Sequence, residues 1–309
     1  MTDDECQRLA RLMPNLKHRV FIYQTICSFF NGQGFLEVDT PVRSPAIAPE
    51  KEIIPFDSEG WFLSTSPELY MKRLLSAGYD KIYQFSHCFR KGERGNYHNP
   101  EFTLLEWYRK DANYEQMMQD AERLIIAVTA EMGMGSTLHY QGNTIDLSLP
   151  WERLTVSATF QKYAGWDPTH DPDVRRFDED MVLKVVPNLD PLRPIFLVDY
   201  PAPMASLARL KPGNSHVAER FELFIGGLEV ANAYSELVNA KEQEMRFRTE
   251  IEQIKQAQNR IAPMPEKFLR AAANLPECAG IALGIDRLVM LFCNAATIDE
   301  VMPFTIDEV

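Results

Sequence analysis

Two arginine-bearing segments, far apart in the sequence, constrain this chain more than any other feature. The first covers residues 89–108 and carries Arg90 between apolar, strand-like flanks. The second covers residues 280–287 and ends on Arg287, immediately before the apolar run 288–292. An arginine before a helix is usually a solvated surface residue. The two segments occur in order, and each arginine is framed by glycine or acidic residues. Together they are therefore stronger evidence for a functional site than either segment alone.

Arginine and glycine in these patterns suit chemistry on a phosphate group. A guanidinium offers a permanent charge and a bidentate fork where negative charge builds on phosphate oxygens. A helix that begins near Arg287 adds amide donors and the positive end of its dipole. Gly280 and Gly284 would let the backbone approach a nucleotide closely.

Composition excludes several classes of protein. The 309 residues are 45% apolar and 25% charged, which is typical of a globular protein, and no apolar run is long enough to span a membrane. The acidic start, residues 1–5, lacks the pattern of a signal peptide, so we expect a cytoplasmic protein with no membrane partner. The five cysteines form no Cys-x-x-Cys pair, and the six histidines show no metal-ligand spacing.

The net charge of −12 weighs against a function centred on a polyanion. Proteins built around nucleic acid usually present a basic face, and no Lys/Arg cluster of that kind stands out. We therefore expect no stable binding of nucleic acid.

Periodicity predicts most of the long elements. Apolar residues at three- and four-residue intervals predict helices over 3–31 and 114–132. Residues 195–198 are typical of a buried strand, and a charged helix is predicted over 240–260. The segment 133–190, rich in Asp and Pro, gives little guidance, and we expect it to be peripheral.

A hairpin is predicted about Gly226-Gly227, and its second strand carries Glu229 and Glu236. Seven positions apart, these residues would point to opposite faces of a regular strand. If both bind one Mg²⁺ beside a nucleotide, a bulge must lie between them, and we expect it near Asn232-Ala233. As isolated residues, they would be solvated strand positions.

Ser66, Pro67 and Glu68 predict a helix start. Ser66 would cap the helix, Pro67 would take the first position, and Glu68 would favour the dipole. Capping alone would explain all three residues.

In order, these segments resemble the class II aminoacyl-tRNA synthetases, and the lysyl type most closely. Residues 34–42 resemble motif 1, residues 89–108 motif 2 and residues 280–292 motif 3, with Ser-Pro-Glu between the first two. The resemblance implies an α+β fold: one catalytic domain over 1–309, with a mostly antiparallel sheet of roughly six or seven strands flanked by helices. It also implies a homodimer through motif 1. Because 33 residues precede Gly34, we expect no anticodon-binding barrel.

This architecture is similar to truncated lysyl-type paralogues that attach (R)-β-lysine to a lysine of translation elongation factor P. The resemblance implies a ligase that uses ATP and Mg²⁺ to activate (R)-β-lysine or lysine as an aminoacyl-adenylate. The ε-amine of the acceptor lysine then attacks the acyl carbon and AMP leaves.

The resemblance also implies roles for individual residues. Arg90 and Arg287 would be catalytic. The residues that would contact the amino acid are Ser66, Pro67, Glu68, Tyr108, Glu236 and Ala282. Those that would contact ATP are Arg90, Lys91, Gly92, Glu93, Asn99, Glu229, Val230, Gly284 and Arg287, while Glu229 and Glu236 would bind Mg²⁺.

Three positions or segments depart from the family pattern. Motif 2 normally has an acidic residue two positions after its arginine, where this chain has Gly92, with Glu93 following. Ala282 stands where lysyl-tRNA synthetases keep glycine, and its methyl would reshape the amino-acid pocket. The stretch 151–194 is shorter than usual for the family.

Two other functions stay open from the sequence. One is a free-standing synthetase core that charges tRNA or another amine, which a basic groove beside the site would support. The other is a non-catalytic, synthetase-like regulatory protein, for which Gly92 is the best support. Both glutamates and both arginines of the motifs are present, which favours a working enzyme.

Overall fold

The computed structural model describes residues 3–309, and its centre is a nine-stranded sheet. Hydrogen-bonded neighbours follow the order β1-β5-β6-β14-β13-β12-β10-β9, with β11 beside β12. Two small sheets, β2-β4-β3 and β7-β8, lie outside it. The fourteen strands are β1 Leu36–Glu37, β2 Arg43–Ser44, β3 Asp57–Ser58, β4 Trp61–Leu63, β5 Lys81–Phe89, β6 Glu101–Lys110, β7 Thr137–Tyr140, β8 Asn143–Asp146, β9 Glu152–Thr155, β10 Ile195–Pro201, β11 Leu210–Lys211, β12 Asn214–Ile225, β13 Leu228–Ser235 and β14 Cys278–Gly284.

Eight α-helices flank the sheet in the described part of the chain, which makes the fold α+β. They are α1 Asp3–Gly32, α2 Glu68–Ser76, α3 Tyr114–Glu131, α4 Val156–Tyr163, α5 Val174–Asp180, α6 Ala240–Gln258, α7 Glu266–Ala272 and α8 Ile285–Cys293. A π-helical segment, Met181–Val185, continues α5. The periodicity-based predictions of α1, α3 and α6 are confirmed to within two residues at each end.

The sheet has a core face and a site face. Side chains alternate along each strand, and those of the core face join the apolar stripes of α1, α3 and α8 in one buried cluster. Phe30 of α1 is fully buried in this cluster, with ring contacts to Phe35, Tyr83 and Trp107. This packing fixes the strands from behind and leaves the opposite face to carry polar side chains.

The sheet has more strands than the six or seven predicted. Its six central strands, β5 to β10 in the hydrogen-bonding order, are antiparallel as expected. The additional strands are short edges of two to four residues, and β1 and β9 pair in parallel. Such short segments leave too few alternating positions for a strand pattern to be recognised.

The segment 133–190 is less peripheral than expected, because β9 belongs to the main sheet. The helices that follow β9 enclose a second apolar cluster, in which Phe160 stacks on Phe177. This cluster covers the far edge of the sheet, away from the two arginine-bearing segments.

The predicted hairpin is confirmed, but the bulge lies elsewhere than expected. Gly226 and Gly227 both have positive φ, at 60° and 81°, which favours glycine at the two turn positions. On β13 the extra residue is Val230, because Leu223 pairs with Ala231 while the next residue, Phe224, pairs with Glu229. The prediction of a bulge near Asn232-Ala233 is therefore wrong, and those residues pair regularly.

An ion pair joins the long first helix to the start of α8. Arg19 Nη1 donates to Asp286 Oδ1 at 2.6 Å, and Asp286 Oδ2 accepts from the Thr103 amide at 2.8 Å. The carboxylate is buried, so its two partners fix where α8 begins relative to β6. Arg287, the next residue, is positioned by this contact.

None of the helices described over residues 3–309 is both long and apolar enough to cross a membrane.

We expect Phe30→Ala to destabilise the fold by about 3–5 kcal/mol, because it removes a fully buried ring from the core. Urea unfolding followed by circular dichroism measures this change. Met245→Ala on α6, where the side chain is exposed, is the control and should change the free energy of unfolding by less than about 0.5 kcal/mol. Equal effects of both substitutions would contradict the position of the core.

Candidate active site

Strand register brings residues of distant segments into two rows on the site face. Each row crosses five strands, from β5 through β6, β14 and β13 to β12. The first row is Ile82, Tyr108, Gly280, Tyr234 and Arg220, and the second is Gln84, Glu106, Ala282, Asn232 and Glu222. The two arginine-bearing segments are therefore neighbours in the sheet.

A buried cluster of charges lies beside these rows, where α2 and the segment that follows β13 meet β6. We call Glu68, Lys72, Glu106 and Glu236 the carboxylate cluster. Lys72 Nζ lies 2.6 Å from Glu68 Oε1 and 2.5 Å from Glu236 Oε2, and the exposed fraction of the Lys72 side chain is 1%. Burial lowers the pKa of Lys72, but the two carboxylates together raise it above its ordinary value.

Glu106 is held by two hydroxyl groups. Ser66 Oγ donates to its Oε1 at 2.7 Å, and the Tyr108 hydroxyl donates to its Oε2 at 2.8 Å. Burial, with the nearby Glu68 carboxylate, raises the pKa of Glu106 to about 7 despite these two donors. A cation placed beside Glu106 would therefore stabilise the ionised form of this carboxylate.

The helix predicted after Ser66 is present but begins one residue later than predicted. α2 starts at Glu68, and Pro67 rather than Ser66 takes the N-cap position. Ser66 Oγ still accepts from the Glu68 amide at 3.1 Å. The same hydroxyl group therefore contacts the first helical amide and orients Glu106.

Glu236 presents a free oxygen toward a glycine. Neither carboxylate oxygen has a hydrogen-bond partner among residues 3–309, although the residue is buried, and Oε2 is held only by its ion pair with Lys72. A Cβ on Gly280 would lie 2.8 Å from Oε1 and 2.1 Å from the Tyr108 ring. Burial raises the pKa of Glu236 to about 8, with Lys72 acting in the opposite direction. A buried acceptor without a donor indicates a ligand that donates hydrogen bonds.

Arg90 lies between the carboxylate cluster and the far end of the site. Its Nε donates to the Thr65 carbonyl at 3.2 Å, and its guanidinium lies over the Phe102 ring. Its positive charge lowers the pKa of Glu106 on one side and of Glu229 on the other. Arg90 is thus within electrostatic reach of both ends.

The backbone conformation explains why glycine occupies position 92. Its φ of 86° lies in the left-handed region, so the turn after Arg90 favours glycine over an acidic residue. Glu93 follows the turn, and its carboxylate returns to 3.6 Å from Arg90 Nη1. The acidic group is displaced by one position and still faces the motif-2 arginine.

The other end is organised by Arg287. We call Arg287, His98 and Glu229 the arginine cluster. Arg287 Nη1 donates to the Glu229 carbonyl at 2.9 Å, and Nη2 lies 2.6 Å from His98 Nε2. Burial and Arg287 lower the pKa of His98, so the imidazole is neutral and accepts this hydrogen bond. Partial burial raises the pKa of Glu229, and the nearby Glu222 carboxylate raises it as well. The Glu229 side chain nevertheless keeps 43% of its surface exposed.

The remaining predicted residues are placed less uniformly. Gly284 is the last residue of β14, directly before α8, while Val230 is the bulged residue beside Glu229. Lys91 is exposed, in the turn that contains Gly92. The Asn99 side chain uses both of its polar atoms in hydrogen bonds within the protein. Its Nδ2 donates to the Glu101 carbonyl, and its Oδ1 accepts from the Ile306 amide.

The expectation that Glu229 and Glu236 share one Mg²⁺ needs correction. The bulge at Val230 puts both on the site face, as that expectation required. However, roughly six extended steps of about 3.3 Å separate them, which places their Cα atoms about 20 Å apart. They also lie in different clusters, Glu236 with Lys72 and Glu229 with Arg287. Two carboxylates so far apart cannot bind the same ion.

Asn232 fits a cation better as the companion of Glu229. It is the next residue after the bulge that points to the site face, and its Oδ1 is buried without a partner among the described residues. Oxygen ligands of this kind, completed by phosphate oxygens, are those that Mg²⁺ prefers.

The sequence patterns predict no role for Lys72, Asn232, Gln84 or Arg220, and Glu106 falls inside the motif-2 segment without a predicted role of its own. The alternation of side chains along a strand could have identified Glu106. Glu106 lies two residues before Tyr108 on the same strand, so both side chains must point to the same face. Lys72 gives no such signal, since a Glu-Lys pair four residues apart on a helix is typical of a solvated surface.

Comparisons with known proteins agree with this geometry. The family model described as "tRNA synthetases class II (D, K and N)" matches residues 6–308. The chain is 37% identical to the elongation factor P–(R)-β-lysine ligase of Klebsiella pneumoniae (strain 342) over 316 residues, 96% of each chain. It is also 37% identical to the ligase of the same name from Edwardsiella ictaluri (strain 93-146), over 99% of each chain.

Two glycines of β14 allow the two ends of the site to be tested separately. A methyl on Gly280 would strike the Tyr108 ring, so Gly280→Ala should raise the KM for the amino acid about tenfold or more. Around Gly284 the nearest atoms are 3.8 Å away and φ is −73°, so Gly284→Ala fits the protein itself. If a nucleotide packs there, Gly284→Ala raises the KM for ATP and leaves the melting temperature unchanged.

Steady-state kinetics of adenylate formation, with each substrate varied in turn, measures both effects. A swap of the two, with Gly280→Ala affecting only ATP, would contradict the assignment of the two ends.

Proposed function

Because this chain belongs to the class II tRNA synthetases of the D, K and N type, we propose that it activates (R)-β-lysine or lysine with ATP and transfers the aminoacyl group to a lysine of elongation factor P. It is then a ligase that forms an amide bond and converts ATP to AMP and pyrophosphate. The names of relatives aligned over 96–99% of both chains support the acceptor and the β isomer.

The order of charges along the site carries the proposal. The carboxylate cluster lies at one end, the arginine cluster lies at the other, and Arg90 acts electrostatically on both. A diamino acid would place its ammonium groups against the carboxylates and its carboxylate toward Arg90. ATP would place its phosphates between Arg90 and Arg287. The two reacting groups would then meet beside Arg90.

The first step needs charge stabilisation and positioning. An oxygen of the amino-acid carboxylate attacks the α-phosphorus of ATP, the bond to the β-phosphate bridging oxygen breaks, and pyrophosphate leaves. Arg90 stabilises the negative charge that grows on the α-phosphate. Arg287, held by Glu229 and His98, neutralises the negative charge of the departing pyrophosphate.

In the second step, the deprotonated ε-amine of the acceptor attacks the acyl carbon of the adenylate. The acyl–phosphate bond breaks, AMP leaves, and the nitrogen loses its extra proton to solvent. No covalent enzyme intermediate is required. The buried cysteines beside the site are unsuited to form one, because burial raises the pKa of Cys88 to about 12 and raises that of Cys278 further.

A Mg²⁺ ion would be held by Glu229 with Asn232. It would supply positive charge for the phosphate oxygens of ATP. The buried, unpartnered Oδ1 of Asn232 and the raised pKa of Glu229 both favour a cation there.

Ala282 supports a preference for the β isomer. It lies in the second row, between Glu106 and Asn232, where its methyl projects from the floor of the pocket. A methyl there narrows the space beside the carbon that carries the amino group of an α-amino acid. An amino group moved by one carbon avoids it.

The intact mass of elongation factor P tests the proposal. After incubation with this protein, ATP, Mg²⁺ and either lysine isomer, we expect the mass to rise by one lysyl unit, more completely with the β isomer. Arg287→Ala should lose at least about 100-fold in rate, because a charge-stabilising contact is removed. Arg248→Ala on the exposed face of α6, where the arginine pairs with Glu244, is the matched control.

Each alternative outcome has a distinct meaning. Adenylate formation without a mass change would refute elongation factor P as acceptor and favour a synthetase core that charges tRNA or another amine. Failure to form adenylate with either isomer would refute the enzymatic proposal and favour a regulatory protein. The net charge of −12 supports an enzyme without stable tRNA binding, and a translation-factor acceptor supports a cytoplasmic location.

We also propose that one catalytic domain pairs with a second copy through the motif-1 region. The central sheet draws strands from residue 36 to residue 284, which supports a single domain. Met13 and Val20 on α1 and Leu36 on β1 each expose about half of their apolar side chain. Met13 and Val20, seven residues apart, lie on one face of α1, and exposed apolar residues on one face of a helix are typical of an interface.

Val20→Asp should therefore shift the protein from dimer to monomer in sedimentation velocity. Val182→Asp, at a valine outside this region that is slightly more exposed than Val20, is the control and should leave the dimer intact. A monomeric wild-type protein at micromolar concentration would contradict the proposal.

A further inference from the structure

Lys72 is the most deeply buried cation of the site, and no step above uses it. It lies on α2 with its side chain 1% exposed, and its ammonium group joins Glu68 of the same helix to Glu236 at the end of β13. A buried pair costs several kcal/mol in lost hydration, so stability alone is a weak reason to keep a lysine here.

We infer that Lys72 is a positioning residue that sets the geometry and the net charge of the amino-acid pocket, so that the pocket accepts a substrate with two ammonium groups. The inference rests on the proposed function and adds to it a residue that selects the charge of the substrate.

The geometric part concerns Glu236. Lys72 contacts its Oε2, while Oε1 faces Gly280 and the Tyr108 ring without a protein partner. One oxygen is therefore anchored and the other is left for the ligand. Without the ammonium group, nothing described around Glu236 would hold the carboxylate in this orientation.

The electrostatic part is a count of charges. Glu68, Glu106 and Glu236 contribute three negative charges and Lys72 one positive charge, so the ionised cluster carries −2. An adenylated lysine carries two ammonium groups beside a neutral acyl group, and the two sets of charges cancel. A monoamino acid would leave one buried carboxylate uncompensated, which is costly in a dry pocket.

The titratable groups that interact with Lys72 are Glu68 on α2, Glu236 after β13 and Cys278 on β14. Glu106 and Tyr108 of β6 interact in turn with Glu236. Tyr108 and Cys278 have raised pKa values and stay neutral at physiological pH. The titration of the pocket near neutral pH is therefore that of its carboxylates.

The sign of the pH effect follows from this set. A dication binds the ionised carboxylates, so its affinity falls as the pH drops through their pKa values, which burial raises to about 7 for Glu106 and about 8 for Glu236. Lys72 lowers the pKa of Glu236. Its removal raises that pKa further, so affinity for lysine is lost at a higher pH than in the wild type.

The test measures lysine-dependent exchange of pyrophosphate into ATP between pH 6 and 9. For Lys72→Met we expect the KM for lysine at pH 7.5 to rise about tenfold or more, with kcat and the KM for ATP within about threefold. The acidic limb of kcat/KM for lysine should move to higher pH by about one unit. Lys72→Arg keeps the charge and should return the limb to its wild-type position.

Arg109→Met is the matched control. It removes a cation from a buried carboxylate, Asp120, outside both clusters. It should lower the melting temperature without moving the pH profile. If Lys72→Met behaves in the same way, with an unchanged KM for lysine and an unchanged acidic limb, Lys72 is only structural and the inference is overturned.

A double variant keeps the test decisive if Lys72→Met does not fold. Lys72→Met combined with Glu68→Gln removes one charge of each sign, so the ionised cluster still carries −2 as in the wild type. Its KM for lysine should nevertheless exceed the wild-type KM about tenfold or more, because Glu236 has lost its anchor; a KM equal to that of the wild type would refute the inference. A wild-type protein that shows no exchange with either lysine isomer would refute the proposed function instead.

Discussion

The pairing of β14 with β6 on one side and β13 on the other is the constraint on which the whole site depends. It places Gly280 between Tyr108 and Tyr234, and Ala282 between Glu106 and Asn232. These residues come from three segments that are distant in sequence. A shift of one residue in either pairing would turn the polar residues toward the apolar core. Register therefore sets both the fold and the chemistry.

The core face holds this register, and the helices behind it also position the charges. The rings around Phe30 and the helices α1, α3 and α8 fill the space beneath the sheet. Because α8 follows β14 without a loop, the end of the strand determines where Arg287 lies. The Arg19–Asp286 ion pair fixes the same point from α1. The arginine at one end of the site is thus a consequence of packing on the opposite face.

Much of the fold could be predicted from the sequence, and the limits have physical causes. Long helices and the hairpin at Gly226-Gly227 were predictable because periodicity and turn chemistry are local. The bulge was predicted near Asn232-Ala233 but lies at Val230, since its position depends on how β12 pairs, which is not a local property. Lys72 was not predicted as part of the site, because only the folded sheet brings Glu236 to the helix that carries it.

The central claim is that the amino acid and the nucleotide occupy opposite ends of one site on the sheet, the carboxylate cluster and the arginine cluster, with Arg90 between them. A crystal structure with a non-hydrolysable sulfamoyl analogue of lysyl-adenylate tests it most directly. The account predicts the ligand's ammonium groups at Glu106 and Glu236, its sulfamoyl group beside Arg90, and its adenosine near Gly284. An analogue bound with its ammonium groups toward Arg287, or away from the carboxylate cluster, would contradict the account.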